Sequence, residues 1–317
     1  MQLSLKRWFA TLITASAALL SACGGSEHET LDIVSLAKSN ANLSVLAEAI
    51  DAAGLETTLR AAGPYTVFAP TNQAFLDLLA ELNLSKAQLL ANKELLTSVL
   101  TYHVLGAKVV AKDVPLGQPI TTLQKGFFKA EASGSSLKIT DGRNRVSNVT
   151  TADVTAQNGV VHIIDKVLLP ADKNVVQTAI ALSTAAQPEF SILVEAVVAA
   201  DLVTTLSGTG PFTVFAPTNA AFAALLTELG GITKAALLAD KALLTKVLTY
   251  HVVPNLVLKA QVPVGSAITT AQGESFTVNT ALAITDQRAR SAKITGTDVL
   301  ASNGVIHVID KVILPRP

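Results

Sequence analysis

The segment Thr66-Val67-Phe68-Ala69-Pro70-Thr71-Asn72 recurs letter for letter as Thr213 to Asn219, 147 positions later. Tyr102-His103-Val104 returns as Tyr250-His251-Val252, and the run from Asn158 to Lys166 returns from Asn303 to Lys311 with two conservative exchanges. Solenoid units repeat every 20–50 residues or so and cannot bury a core singly. A period near 147 is the size of an ordinary independent domain. The chain is therefore expected to be a tandem of two homologous domains, over residues 31–170 and 171–317.

Ahead of the repeats, Lys6 and Arg7 form a short positive region, and Trp8 to Ala22 is dominated by Ala, Leu, Ile and other small or apolar residues. This stretch falls short of the ~20 residues of a membrane-spanning helix and reads as a signal peptide over residues 1–22. Its end, Leu20-Ser21-Ala22-Cys23-Gly24-Gly25-Ser26, resembles the bacterial lipobox, in which a cysteine after a small residue is acylated and becomes the new N-terminus. Cys23 is then the expected lipidation site, and residues 23–30 a flexible tether. Each acyl chain gains about 0.8 kcal/mol per buried methylene, and more than one chain gives stable anchoring. Gly24 rather than Asp after the cysteine implies, on that resemblance, the outer membrane where the host has one. The plain alternative is a cleaved secretory signal with an incidental cysteine. Cys23 is the only cysteine, so neither domain has an internal disulfide.

Half of the residues are apolar and 15% charged, far from a disordered composition. Basic and acidic residues balance, and two of the basic ones lie in the leader, so no basic face and no nucleic-acid partner is implied. The one tryptophan, Trp8, also lies in the leader, which weighs against a sugar site built on large aromatic faces.

Each copy divides into a helical half and a strand half. Leu43, Leu46, Ala47 and Ile50 follow the spacing of an amphipathic helix, and Phe190, Leu193, Val194 and Val197 repeat it. Phe75, Leu78, Leu79 and Leu82, with their equivalents from Phe222 to Leu229, mark another helix after the short strand Tyr65 to Phe68. Leu96, Val99 and Leu100, matched by Leu244, Val247 and Leu248, give a third stripe. Downstream lie β-type runs, Phe127 to Ala132, Leu137 to Thr140 and Val160 to Leu169, with Asp141-Gly142 as a hairpin turn. This order argues for an α+β domain. Along the last run His162 and Asp165 point to opposite faces, as do His307 and Asp310, so neither pair forms a dyad. Each reads as a buried polar group with a partner elsewhere.

The three motifs, in this order and in both copies, resemble the fasciclin domain family over essentially all of residues 31–317. The resemblance implies two tandem domains, each a β-wedge or sandwich of about seven short strands with a helical cluster. It also implies a surface or matrix location and a role in cell adhesion without catalysis. In animal members the Tyr-His region is linked to adhesion, which makes Tyr102, His103, Tyr250 and His251 the matching candidates. Against this, His103 stands seven after Leu96 on an apolar stripe, as His251 does to Leu244, and a histidine so placed faces the core.

Asp141-Gly142-Arg143-Asn144-Arg145 aligns with Asp286-Gln287-Arg288-Ala289-Arg290. Arg143, Arg145, Arg288 and Arg290 are candidates for an anionic polysaccharide or headgroup, since guanidinium pairs well with carboxylate and phosphate. The plain reading is a solvated hairpin whose charges keep an edge from aggregating. Pro254-Asn255 stands where the first copy has Gly106-Ala107, an exchange that either re-aims the following loop or is neutral drift. No nucleophile elbow, phosphate loop, dinucleotide glycine pattern or zinc helix occurs, so no catalytic residue, metal or cofactor is expected. The expected function is a lipid-anchored adhesion or matrix-interaction protein of the cell envelope, with a surface protein or polysaccharide as partner. The alternatives are a carrier of an apolar small molecule, such as a pigment or lipid, housed in the Ala/Leu/Val-rich lobe, and a structural envelope protein.

Overall fold

The computed structural model describes residues 30–134, 136–185 and 189–317; the leader, Cys23 and most of the tether lie outside them. In the first copy α1 (Ile33–Ser39), α2 (Ser44–Ala53) and α3 (Glu56–Leu59) lead into β1 (Tyr65–Pro70). Then come α4 (Asn72–Leu82), α5 (Lys86–Ala91) and α6 (Lys93–Tyr102). The strands β2 (Val104–Leu105), β3 (Pro119–Thr121), β4 (Phe127–Ser133), β5 (Ser136–Thr140), β6 (Val146–Ala156) and β7 (Gly159–Ile164) complete it. The second copy repeats the order: α7 (Val175–Ser183), α8 (Ser191–Ala199), α9 (Val203–Leu206), β8 (Phe212–Pro217), α10 (Asn219–Glu228), α11 (Lys234–Ala239) and α12 (Lys241–Tyr250). It ends with β9 (Val252–Val253), β10 (Ala267–Thr269), β11 (Ser275–Val278), β12 (Ala283–Thr285), β13 (Ser291–Ala301) and β14 (Gly304–Ile309).

The repeated seven-residue segment does several separate jobs. Thr66 Oγ1 donates to Ala107 O at 2.6 Å and accepts from Val109 N at 2.8 Å, fixing the loop after β2. Thr71 caps α4 by accepting from Ala74 N. Asn72 reaches back to α2, accepting from Val45 N at 2.9 Å and donating to Ala41 O at 2.8 Å. In the second copy Thr213 makes the same bridge, to Asn255 O and from Val257 N. The exchange to Pro254-Asn255 therefore leaves the loop on its anchor instead of re-aiming it.

Each copy is one seven-stranded sheet, ordered β2-β1-β7-β6-β5-β4-β3 in the first and β9-β8-β14-β13-β12-β11-β10 in the second. The pairs β1–β7 and β8–β14 are parallel, and the other neighbours run antiparallel. Gly159 is required at the start of β7, because a Cβ there would sit 2.0 Å from Tyr65 O; Gly304 meets Phe212 O at the same distance. Register shifts within β6, with Asp153 at φ 59°, and within β13, with Asp298 at φ 60°, bend each long strand. One part of β6 pairs with β5 and the rest with β7, so the sheet curls and has two apolar faces. The helices cover one face through residues such as Leu46, Ile50, Phe75 and Leu96. Phe68, Tyr102, Phe128 and Ile139 fill the other, with Phe68 edge-on to Phe128 at 5.2 Å. The α+β expectation of a seven-stranded wedge with a helical cluster holds in both copies.

Two sequence expectations need correction. The closing strand stops at Ile164 and does not run to Leu169, because Asp165 turns the chain: its carboxylate accepts from Asn148 N and Nδ2, both at 2.7 Å, and from Ser147 Oγ at 3.1 Å. Burial opposes ionisation of Asp165, but these hydrogen bonds outweigh it and hold its pKa below the usual carboxylate range. The Asp141-Gly142 hairpin turn does join β5 to β6, but as a five-residue loop, closed by Asp141 N to Arg145 O at 3.0 Å, whose left-handed residue is Asn144 at φ 63°.

The copies meet along a specific seam. Lys129 Nζ of β4 lies 3.1 Å from Asp298 Oδ2 of β13, with both side chains buried. Asn144 and Leu300 exchange two hydrogen bonds: Leu300 N donates to Asn144 Oδ1 at 2.6 Å, and Asn144 Nδ2 donates to Leu300 O at 3.1 Å. Phe127 packs with Leu256, Leu258 and Leu300 beside them.

Candidate functional site

The structure brings the Tyr-His and Asp-x-Arg-x-Arg motifs of each copy together on one strip of chain. Beyond Ile164 the backbone leaves the sheet ladder, and side chains take over its hydrogen bonds. Leu168 N donates to His103 Nε2 at 2.9 Å, Leu169 N donates to Asp141 Oδ2 at 2.9 Å, and Val167 O accepts from the Arg145 guanidinium at 2.6 Å. In the second copy Ile313 N donates to His251 Nε2 at 3.1 Å, Leu314 N to Asp286 Oδ2 at 2.9 Å, and Arg290 to Val312 O at 2.9 Å.

His103 sits at the C-terminal end of α6, and its Nδ1 is 2.7 Å from Val99 O. A carbonyl only accepts, so Nδ1 carries the proton, and Nε2, which receives Leu168 N–H, does not. The ring is neutral and doubly bonded. Burial, the dominant cause, pushes its pKa down to about 4, and that of His251, bonded to Val247 O at 2.8 Å, is likewise held at about 4. Tyr102 donates to Phe127 O at 2.6 Å and Tyr250 to Ser275 O at 3.0 Å. Burial, then the neighbouring Asp141 or Asp286 carboxylate, pushes each phenol up. All four adhesion candidates are buried. The histidines fasten the end of each domain to α6 or α12, the tyrosines tie the same helices to β4 or β11, and none has an exposed face for a partner.

The arginines divide. The Asp141 carboxylate accepts from Arg143 N at 3.0 Å, Arg145 N at 2.9 Å and the Arg145 guanidinium at 2.8 Å. Arg145 also reaches Glu81 at 2.7 Å, so its guanidinium is spent inside the domain. Arg290 repeats this with Val312 O and Glu228. Arg288 donates to Pro315 O at 2.9 Å, and Arg143 pairs with Asp172 at 3.2 Å while its buried Nε has no partner. Arg143 and Arg145 both line the cleft between the copies, where Lys173 and Glu81 also lie, whereas Arg288 and Arg290 do not.

His162 and His307 have the partners expected of buried polar groups. His162 Nε2 donates to Val109 O at 2.9 Å and Nδ1 accepts from Asp153 N at 3.2 Å; His307 does the same with Val257 O and Asp298 N. A ring nitrogen that accepts an N–H is unprotonated, so the nearby Asp153 and Asp298 carboxylates are not its ion partners. Among the described residues no group of three or more His, Cys, Asp or Glu is placed to hold a metal, and no helix is long and apolar enough to cross a membrane.

Two features escaped the sequence reading: the seam residues Lys129, Asn144 and Asp298, and a cavity of about 150 Å³ in the second copy beneath α7, α8 and α9. A position-by-position comparison of the copies carries a signal for both. Thr277 and Ala289 stand where the first copy has Lys129 and Asn144. Three charged surface positions of the first copy are apolar over the cavity.

The fasciclin domain family model matches residues 41–170 and 188–315. A protein of Synechocystis is 52% identical over 128 residues, covering 40% of this chain and 67% of its own length. Transforming growth factor-beta-induced protein ig-h3 of Sus scrofa is 31% identical over 268 residues, 82% of this chain and 36% of that protein. Human periostin is 29% identical over 271 residues, 83% of this chain and 29% of periostin. The chain thus spans about a third of the length of these two animal relatives. Among solved structures, the FAS1 domain pair of the insect cell adhesion molecule fasciclin I aligns with a TM-score of 0.41 and 19% identity, over 86% of this chain and 96% of that one. The chain belongs to the fasciclin domain family.

Proposed function

We propose that this tandem fasciclin chain is an exported, non-catalytic interaction module of the bacterial cell envelope, held by a lipid on Cys23 and acting in adhesion. The observation that carries the reading is the seam. Two copies locked through a buried ion pair and a reciprocal amide pair present their outer surfaces in one fixed arrangement. Two modest contacts so arranged reinforce each other through effective concentration when both reach the same surface. The polar groups best suited to chemistry (His103, His251, Asp141, Asp286 and two of the arginines) are committed to closing the domains. That leaves surface contact as the activity, with a surface protein or polysaccharide as partner.

The test is attachment. Cells displaying the chain at graded density are expected to attach to one another or to a coated surface in proportion to display. Cys23→Ala is expected to release the chain to the medium and remove the effect. Attachment independent of display density would refute the reading.

A further inference from the structure

We propose that the second copy alone binds the tail of a single-chain aliphatic amphiphile, in the cavity between α7, α8, α9 and the β8–β14 pair. The cavity is about 150 Å³ and its thirteen lining side chains are all Val, Ile, Leu or Ala. It runs from Ile180, Val198 and Val203 at the surface down to Ala216 and Ile306 of the sheet. The three surface residues are 42%, 58% and 37% exposed, which is costly for apolar side chains gathered on adjacent helices.

The first copy shows what closes this place. The frames superpose through identical hydrogen bonds: Asn158 holds Ile33 N and Leu59 O as Asn303 holds Val175 N and Leu206 O, and Asn72 holds Val45 N as Asn219 holds Ile192 N. In that register Ile180 corresponds to Lys38, Val198 to Asp51 and Val203 to Glu56. Lys38 lies 3.2 Å from Asp51 and 3.0 Å from Glu56, bridging the three helices. Glu56 passes the network to Arg60 at 3.0 Å, and Arg60 to Asp32 at 2.5 Å. Their second-copy equivalents, Ser207 and Asn174, are uncharged, so all five charges of the first copy's rim are missing from the second.

The dimensions select the ligand. A dry engineered cavity of roughly 150 Å³ takes up benzene, so this one admits on the order of six carbons. That is below the roughly 300 Å³ or more of a site that swallows a whole drug-sized ligand. The fit is therefore the end of a chain. No aromatic side chain lines the cavity to stack on a flat ring, and no polar side chain lines it to receive a headgroup. The chain enters methyl end first, and its headgroup stays in water beyond Ile180 and Val198.

The experiment titrates decanoate, below its micelle concentration, into the chain carrying 13C-labelled Ile, Leu and Val methyls. The expected result is saturable shifts at Val197, Leu206 and Ile306, none at the equivalent Ile50, Leu59 and Val161, and the same pattern with decanol. Across shorter homologues affinity should rise about fourfold per methylene until roughly six carbons are buried, then flatten. The triple variant I180K/V198D/V203E rebuilds the ion-paired rim that the first copy already folds with, and Ala179→Leu fills the cavity from its wall. Each should weaken binding at least about tenfold. Equal shifts in both copies, no shift in either, or a triple variant that binds as before would overturn the proposal. So would sedimentation with phosphatidylcholine vesicles, or self-association lost in the triple variant, if decanoate leaves the cavity methyls unmoved.

Discussion

The latch histidines make acid stability the sharpest test of the fold. His103 and His251 titrate at about 4 in the folded chain against an ordinary 6.5, with burial the main cause. Below about 6.5 the unfolded chain takes up a proton on each ring while the folded chain does not, so stability is full above that pH and is lost as pH falls toward about 4. From about pH 7 to about pH 5 each ring contributes a loss of about 2 kcal/mol, rising to roughly 3 kcal/mol near pH 4. A neutral latch is required by the geometry, because a protonated Nε2 would face the Leu168 N–H, or the Ile313 N–H in the second copy, donor to donor. The assay is urea unfolding at several pH values for the parent chain and for the double variant His103→Gln, His251→Gln. The difference between the two cancels the carboxylates common to both. Glutamine keeps a donor and an acceptor but cannot titrate. The variant should be less stable by about 1–3 kcal/mol per site near neutral pH and should lose most of the slope between about pH 7 and about pH 5. An unchanged slope in the variant would refute the neutral, buried assignment of these rings.

Asp141→Ala removes the acceptor of three backbone N–H groups and the partner of Arg145, and should destabilise the first domain by about 3 kcal/mol, read from its urea midpoint. Gly159→Ala drives a Cβ to 2.0 Å from Tyr65 O and should abolish soluble folded protein. Gly134→Ala, with open space but φ 61°, should cost only about 1–2 kcal/mol. Lys129→Ala strands Asp298 in the seam and should cost about 3–5 kcal/mol of interdomain coupling, splitting one calorimetric transition into two.

What was legible in the sequence was what is local and periodic. Leu43, Leu46, Ala47 and Ile50 lie on one buried stripe of α2 because helical spacing puts them there, and the same spacing placed His103 in the core. Its partner on the far side, Leu168 N, is 65 residues away, and no pattern within a helix can reveal it. Arg143 and Arg145 look like neighbours on one strand face. They are in a loop wound around Asp141, so one guanidinium is taken up by Asp141 and Val167 O and the other pairs with Asp172. The strand beyond Ile164 was overextended for the same reason. An apolar run reads as a strand whether its N–H groups meet a neighbouring backbone or a histidine and a carboxylate.

Where the two copies agree and where they part separates structure from specialisation. The Thr66 bridge, the Asn72 and Asn158 braces, the histidine latch and the aspartate loop recur with the same partners, so each is needed to close one domain. Among the many positions at which the copies differ, two sets coincide with structural features. One set falls at the seam, where Phe127, Lys129 and Asn144 of the first copy face Leu256, Leu258 and Asp298 of the second, while their counterparts Ser275, Thr277 and Ala289 have no such seam to serve. The other set removes the five-charge rim of the first copy from over the second copy's cavity. A rim of exposed ion pairs contributes little stability, so its loss alone is cheap. Exposing Ile180, Val198 and Val203 in its place carries a hydration cost that neutral substitution to Ser or Thr would have avoided. A bound alkyl tail offsets that cost, which links the divergence of the second copy to the ligand assigned to it.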